Sequence, residues 1–536
     1  VYKILVNDTL TDAGLALLRE AEDVQVDADR LSPDQLLERI GGYHALIVRS
    51  GTQVTRAVIE RGANLKVIGR AGTGVDNIDL EAATQHGIMV MNAPQANSIA
   101  TAEHTVAMML ALCRHIPAAS ASLHRGEWQR KRFMGAQLWH KTLGILGFGR
   151  IGRLVAARAR AFGMTVLAYD PYIDENVASQ LDVRVAAFDE LLQQSDFISL
   201  HTTLTPETEG LLGAEDFARM KGGVRIVNCA RGGLIDEAAL LAALQSGKAA
   251  GAALDVFSTE PPPADDPLLN HPGVVAVPHL GANTIEAQRD VSMQIVQQVL
   301  HALRGTDYRN VLNLPFIVGP EYSRSQPYLE LAEKIGLLQS QMAGGRIRSV
   351  EVETKGDSMS EFVKPITVAL LKGLLESLLT EHVNYINAPL LAAERGVAVS
   401  QTHGMDLPDY PNLLSCRVRW DGGERIVAGA LFGGVLGRLV QVDSFHMDVL
   451  LQGNVLVMLS RDVPGVIGRV GTIMAEHDMN IADWRLGRDE PGGTALSFVN
   501  LDQPLTDAAL EALKSVPEIS EAWVLWFDYP RPPGEI

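Results

Sequence analysis

Leu143-Gly144-Ile145-Leu146-Gly147-Phe148-Gly149-Arg150-Ile151-Gly152 is the stretch on which the reading of this chain turns. Its first four residues form an apolar strand. Glycines 147, 149 and 152 follow at once, and a helical pattern runs over 150–162 until Gly163 stops it. Glycines at this spacing allow a tight turn, close approach of a pyrophosphate to the backbone, and close helix–strand packing. A lone GxGxxG is weak evidence. Here the next strand, 165–169, ends on Asp170. A carboxylate there accepts hydrogen bonds from adenosine ribose hydroxyls and repels a 2′-phosphate. The stretch therefore predicts a site for NAD over NADP. The bland alternative is an ordinary αβ turn followed by a surface Asp, and the strand, helix and acid together argue against it.

Further strands are expected on both sides of this motif. Residues 143–146, 165–169, 197–201, 225–228, 253–256 and 274–277 fit the strands of a Rossmann-type sheet. Upstream, short apolar runs at 3–7, 45–49, 65–69 and 89–92 alternate with helical stretches at 11–20 and 32–40. That alternation implies a second doubly wound parallel sheet of flavodoxin-like type. A long helix at 285–303 is expected to return to this first unit. The α/β part then divides into a discontinuous substrate domain (1–95 plus 285–312) with an NAD-binding domain (96–284) inserted in it. After Asn313-Leu314-Pro315 the nucleotide signals cease. Residues 313–450 read as an α+β domain with helices at 328–342 and 363–379 and strands at 415–420 and 425–431. Residues 451–536 have a βαββαβ rhythm, with strands at 454–460, 481–486, 494–501 and 522–527 and helices at 465–476 and 505–513.

Size and composition agree with several domains. The chain has 536 residues, against a soft prior of roughly 150 per domain. Hydrophobic residues make up 47%, charged residues 21% and aromatics 5%, the profile of a globular chain without a disordered block. A net charge of −18 argues against nucleic acid as a main partner. Any anionic substrate must be drawn in by local arginines. The cysteines 113, 229 and 416 are far apart. They form no CxxC pair, so no metal is expected, and they make no disulfide framework, which points to a reducing, cytoplasmic compartment. The opening Val1-Tyr2-Lys3-Ile4-Leu5-Val6-Asn7 reads as a strand and lacks the form of a signal peptide. The best apolar candidate for a membrane span, 363–379, carries Lys364, Lys372 and Glu376 and reads as an amphipathic helix.

Three separated polar residues downstream of the glycines carry the chemistry. His279, in Pro278-His279-Leu280-Gly281, should sit at the carboxyl end of a strand, where open αβ sheets bind ligands. A free imidazole titrates near ~6.5, which suits proton exchange with an alcohol. Glu260, before Pro261-Pro262-Pro263, could bond the far ring nitrogen, fix the tautomer and stabilise the imidazolium. Arg231, in Asn228-Cys229-Ala230-Arg231-Gly232-Gly233, offers a planar fork for a carboxylate. Singly, each has a dull reading: a structural His, an Arg paired with an acid, a solvated Glu. Arg49-Ser50-Gly51 and Arg70 end strands of the first unit. They are expected to face the cleft, where Arg49 and Arg70 would grip a phosphate.

These motifs are recognisable together. With Arg70-Ala71-Gly72-Thr73-Gly74-Val75-Asp76-Asn77-Ile78-Asp79 and Asn92-Ala93-Pro94, residues 1–312 resemble the D-isomer-specific 2-hydroxyacid dehydrogenases. Nothing in these motifs departs from the pattern. The resemblance implies that His279 is the acid/base, Glu260 its partner and Arg231 the carboxylate anchor. It implies that Gly147, Gly149, Arg150, Ile151 and Gly152 line the pyrophosphate and Asp170 the ribose. Thr73, Thr202, Cys229, Ala230, Asp255, Gly281 and Ala282 are expected near the dinucleotide. A basic loop matching Arg130-Lys131-Arg132 approaches from a neighbouring subunit in this family. Its bland reading is a solvated loop. The length and the C-terminal domains match the long branch, which oxidises 3-phospho-D-glycerate at the entry to L-serine biosynthesis.

Residues 452–530 resemble an ACT domain, on Asp462-Val463-Pro464-Gly465 leading into a helix and Asn480-Ile481 at the next strand. The resemblance implies that Asp462 accepts from an amino group and Asn480 bonds a carboxylate of an effector such as L-serine. Asp462 also serves as a plain helix-start acid. Ser460 stands where serine-sensing members often carry His. Residues 313–450, with Asn387-Ala388-Pro389, resemble the intervening domain of the long branch. The apolar helix 100–113 beside the basic loop suggests a dimer interface, and the C-terminal modules could pair dimers into a tetramer. Two rival functions remain: a hydroxypyruvate, glyoxylate or other 2-keto acid reductase, and a non-catalytic NAD-sensing scaffold.

Overall fold

A computed structural model describes residues 1–318, 322–404, 410 and 412–527. The first sheet contains β1 (Tyr2–Val6), β2 (Val24–Asp27), β3 (Ala45–Val48), β4 (Val67–Arg70) and β5 (Met89–Asn92) in the order β2-β1-β3-β4-β5. All its pairs are parallel, and the order is the flavodoxin-like one. Strands covered on both faces read as continuous apolar runs, and Ala45-Leu46-Ile47-Val48 is buried throughout. The helix Ile285–Leu303 does return to this sheet. Its Ile295, Val296 and Val299 share a core with Ile4, Ile47 and Met91. Gly69 lets it come close, because a Cβ there would meet Val299 Cγ2 at 2.6 Å. Arg304 then closes on Asp23 through two bonds of 2.8 and 2.5 Å.

The second sheet holds β6 (Thr142–Leu146), β7 (Thr165–Tyr169), β8 (Arg184–Val185), β9 (Phe197–Leu200), β10 (Val224–Asn228), β11 (Ala249–Leu254) and β12 (Val274–Ala276). Its order, β12-β11-β10-β9-β6-β7-β8, is the doubly wound dinucleotide order with an extra strand beside β11. All its pairs are parallel. The helix Ser98–Cys113 packs on β10, β11, β12 and the helix Arg150–Ala161. Its Ala102, Met108, Met109 and Leu112 lie in the same core as Ile145 and Val166. The apolar character that suggested an interface thus serves this core. The apolar surface lies on the segment after it, at Ile116, Leu123, Trp128, Met134 and Trp139.

The third sheet contains β13 (Ile347–Lys355), β14 (Ala398–Gly404), β15 (Leu413–Trp420), β16 (Gly423–Phe432), β17 (Leu436–Val442) and β18 (Phe445–Val449), ordered β14-β13-β15-β16-β17-β18. Helices Tyr322–Met342 and Val363–Glu376 cover it. A turn of this unit seats on the first sheet's unit. Asn384 Nδ2 donates to the Gly87 carbonyl at 2.6 Å, and Ile386 enters the core of Ile4 and Met91. Asn387 precedes the helix Ala388–Glu394, with Pro389 in its first turn, which accounts locally for Asn387-Ala388-Pro389.

The fourth sheet, β19 (Gly453–Arg461), β20 (Ile481–Arg488), β21 (Thr494–Leu501) and β22 (Ile519–Phe527), is ordered β20-β21-β19-β22. Alternation along β19 sends Leu456 and Met458 toward the helices Val466–Glu476 and Asp507–Lys514. Val455 and Val457 go to the core of the third unit. Among the described residues, no single helix is long and apolar enough to cross a membrane.

Candidate active site

The glycine loop is built as its sequence requires. Gly147 has φ +93°, and a Cβ there would meet the His201 carbonyl oxygen at 2.6 Å. A Cβ at Gly152 would collide with the Gly147 carbonyl oxygen, whereas one at Gly149 would meet nothing within 4 Å. Two glycines are therefore demanded by the protein itself, and the middle one leaves open space at the start of the helix Arg150–Ala161. Free amides of a first helical turn attract phosphate there. Asp170 follows β7 and accepts from Phe148 N and Tyr172 N, both at 2.9 Å. These features form a cradle that fits a dinucleotide.

β10, β11 and β12 are parallel neighbours, so the segments after them emerge on one edge. Arg231 follows β10, Glu260 follows β11 and His279 follows β12. His279 Nδ1 lies 2.7 Å from Glu260 Oε2, leaving Nε2 as the free ring nitrogen. Glu260 Oε1 accepts from Phe257 N at 3.1 Å. Burial works to raise the Glu260 carboxyl, but the bonds from His279 and Phe257 outweigh it and hold the group below its ordinary range. The Glu260-Pro261 peptide is cis. The Phe257–Ser258 backbone lies against Gly232, where a Cβ would clash. Arg231 and Glu260 thus issue from touching loops.

The opposite wall carries the other cations. Arg231 Nε donates to Asp76 Oδ2 at 3.0 Å and Nη1 to the Ala230 carbonyl at 2.6 Å. Its guanidinium lies over Gly74, where any Cβ would run into it. Arg70, at the end of β4, lies likewise over Gly72. Burial first, then the like charges of Arg231 and Arg49, lower the Arg70 pKa to about 10, while Asp76 and Asp8 oppose. Arg70 Nε is buried without a hydrogen-bond partner among the described residues. Arg49 N donates to Asp8 Oδ2 at 2.7 Å. Gly51 lies over Asp8, because a Cβ there would come within 2.8 Å of its Oδ1.

Comparison with known proteins follows the same residues. The NAD-binding domain of the D-isomer specific 2-hydroxyacid dehydrogenases matches residues 106–281. The D-3-phosphoglycerate dehydrogenase intervening domain matches 324–443, and the ACT domain 454–518. The chain is 42% identical to a Bacillus subtilis D-3-phosphoglycerate dehydrogenase over 97% of this chain and 98% of that one. It is 43% identical to a Methanocaldococcus jannaschii D-3-phosphoglycerate dehydrogenase over 98% and 100%. The chain belongs to the D-3-phosphoglycerate dehydrogenase family. Among solved structures, Aquifex aeolicus D-lactate dehydrogenase with NAD and lactic acid aligns at 28% identity. Its TM-score is 0.51, and the match covers 57% of this chain and 96% of that one.

In this family member not every expected residue faces the cleft. Thr73 Oγ1 donates to Asn97 Oδ1 at 2.8 Å, and Ala230 N to Asn228 Oδ1 at 3.0 Å. Thr202 follows β9 and is half-buried. Ala282 offers its carbonyl to Gln288 Nε2 at 2.7 Å. Cys229 is buried, and its thiol is pushed up to about 12 by burial and then by Asp255. Asp255 is 1% exposed, with both carboxylate oxygens turned to the amides of Leu280 and Gly281. It was expected beside the dinucleotide, and the structure gives it almost no surface of its own. Arg130 and Lys131 are exposed in a short 3-10 turn (Arg130–Phe133). Sequence reasoning left His104 and Asp76 unassigned. Asp76 stood inside a quoted motif, while His104 is one polar residue on an apolar helix, a position without a sequence signal.

The C-terminal pair does not meet within one chain. Asp462 lies at the carboxyl end of β19 and accepts from Arg488 Nη1 at 3.3 Å and Gly492 N at 3.2 Å. Asn480 lies before β20 and donates to Asp502 Oδ2 at 2.5 Å. Arg488 ends β20 and Asn480 precedes it, so the strand's whole length separates the two sites.

Proposed function

We propose that this chain oxidises the C2 hydroxyl of 3-phospho-D-glycerate with NAD, giving 3-phosphohydroxypyruvate for L-serine biosynthesis. The observation that carries the reading is the gathering of Arg70 over Gly72 and Arg231 over Gly74 of one loop, with Arg49 following the neighbouring strand β3. Such a group of cations suits a substrate with a carboxylate at one end and a phosphate at the other. Arg231 takes the carboxylate with its planar fork, exchanging its exposed partner Asp76 for the substrate. Arg49 and Arg70, with Ser50 and Gly51, take the phosphate. His279 Nε2 accepts the hydroxyl proton, and Glu260 on the far nitrogen steadies the imidazolium that forms. In reverse, His279 returns the proton to the keto oxygen. NAD, when bound, supplies the hydride acceptor. Gly147, Gly149, Arg150, Ile151 and Gly152 are suited to its pyrophosphate and Asp170 to its ribose, with Thr73, Thr202, Cys229, Ala230, Asp255, Gly281 and Ala282 shaping the rest.

Steady-state turnover with NAD tests this reading. Activity on 3-phosphoglycerate with little on D-glycerate supports it. The opposite preference supports a hydroxypyruvate or glyoxylate reductase. NAD binding without turnover on either supports a scaffold.

The same reading extends to assembly. The domain limits expected above fit the four sheets and the returning helix. Exposed Trp128, Met134 and Trp139 next to Arg130 and Lys131 favour a homo-oligomer, a dimer or a tetramer, in which the basic turn serves a neighbour's phosphate end. L-serine is the effector to try first, and a site using both Asp462 and Asn480 needs two copies. Free, buried cysteines fit a reducing cytoplasm.

A further inference from the structure

We propose that His104 is a positioning residue for His279, acting through Asp255 in a second imidazole–carboxylate pair beneath the first. The proposal rests on the assignment of His279 as acid/base. His279 has φ +53°, a left-handed conformation that a side-chain-bearing residue keeps only when its surroundings over-determine it. Asp255 supplies most of that constraint, with the Val277 carbonyl a second acceptor for His279 N at 3.1 Å. The Asp255 carbonyl accepts from His279 N at 2.9 Å. Its Oδ1 accepts from Leu280 N at 2.5 Å and its Oδ2 from Gly281 N at 2.8 Å. Three consecutive amides are thus held by a single buried aspartate.

That carboxylate must stay ionised and aimed. Burial works to raise it, yet His104 and the two amides hold it below its ordinary range. His104 Nε2 stands 3.3 Å from Asp255 Oδ1. Among the described residues that buried nitrogen meets no aligned hydrogen-bond partner, and Asp255 Oδ1 is the acceptor set within its reach. Cys229 brings its sulfur into the same cluster, within 4.8 Å of both. Its elevated thiol is neutral and compensates no charge. Glu260 is a further charged neighbour, and its sign is the same. His104 is the imidazole that the fold sets against Asp255. The helix that carries it also braces the turn directly, because Thr101 lies one turn earlier and a Cβ at Gly281 would meet its Cγ2 at 3.5 Å.

The test compares His104→Leu with His104→Gln in the full-length protein. Wild-type turnover on 3-phosphoglycerate is recorded first, so that failure of the activity is not confused with failure of this proposal. The variants are then read for kcat, KM, NADH Kd and melting temperature. Loss of the N–H in His104→Leu is expected to lower kcat about 10- to 100-fold, the effect of a small misplacement of a reacting group, with NADH Kd within about 2-fold. His104→Gln, which keeps an N–H, should regain most of the loss. If the Leu variant does not fold, His104→Asn, too short to reach Asp255, replaces it. Unchanged kcat in the Leu or Asn variant, a Gln variant as impaired as they are, or a loss confined to NADH Kd would each overturn the proposal.

Discussion

The nucleotide-binding sheet and the C-terminal sheet use sequence distance in opposite ways. Arg231, Glu260 and His279 span nearly fifty residues yet emerge on one edge. Asp462 and Asn480 are much closer in sequence yet stand at opposite ends of their domain. The cause is strand direction. In a parallel sheet every carboxyl end lies on the same side, so loops after β10, β11 and β12 gather without further design. β19 and β20 also run parallel, each antiparallel to β21. Asp462 follows the first, but Asn480 precedes the second. A residue before a strand and one after its parallel partner cannot share an edge. The first arrangement brings its residues together within one chain, and the second keeps them apart.

The largest test of this contrast removes the acid/base. His279→Ala should lower kcat on 3-phosphoglycerate by about 10²–10⁴-fold with the fold intact by circular dichroism. Glu260→Gln should cost less. A His279→Ala enzyme with near-normal turnover would break the claim that the parallel edge is the working one. Next in size is the phosphate end. Arg49→Ala should raise KM for phosphoglycerate about 10- to 100-fold, the loss of one charge-assisted bond. It should change kcat/KM for a non-phosphorylated 2-hydroxy acid far less. Equal losses on both substrates would remove Arg49 from phosphate recognition.

Asp255→Asn probes what holds the edge together. It should destabilise the fold by about 1–3 kcal/mol at pH 7, since a buried acceptor of two amides is replaced. The sign of the pH effect follows from the depressed carboxyl. Its stabilisation is complete above the unfolded value near ~3.9 and disappears as pH falls through the lower folded value. Melting temperature followed downward from pH 7 should therefore fall more steeply below about pH 4 in the wild type than in Asp255→Asn. Parallel curves would show that Asp255 is not ionised in the fold.

The smallest expected effect lies at the other sheet. Asp462→Ala and Asn480→Ala should leave basal turnover within about 2-fold while each abolishes a response to L-serine. Mixed oligomers of the two variants should recover part of that response, because one pairing restores an intact site between copies. Recovery absent from mixtures, with the wild type responding, would place the effector site within one chain.

Legibility followed burial. Strands such as β3 and β7, covered on both faces, are apolar runs in the sequence and were found within a residue of their ends. β2, β8 and β14 escaped notice as edge strands, β8 having two residues and β14 being largely exposed, and β13, β17 and β18 were missed as well, although β13 and β17 lie inside their sheet. Edge strands need no apolar run, so propensity leaves little trace. The helix Ser98–Cys113 was legible as a helix but not in its packing. Its apolar character was plain, but whether it met a second copy or its own sheet could not be read from periodicity. The chemical residues were legible because each stood in a motif with glycine or proline around it. Asp255 was seen, but its burial was not.

The sequence alone determined the parts: three glycines, two of whose missing side chains the loop itself requires, an acid after the second strand, and a cation, a carboxylate and an imidazole after later ones. Local steric and hydrogen-bonding rules act over a few residues, and those rules are written in residue order. Tertiary structure decided the rest. Only packing brings Arg49 and Arg70 of one sheet to Arg231 of another, turns Asp255 inward to grip the His279 turn, sets His104 beneath it, and parts Asp462 from Asn480. Those relations depend on strand order and direction, which arise when separate elements bury their apolar faces against one another.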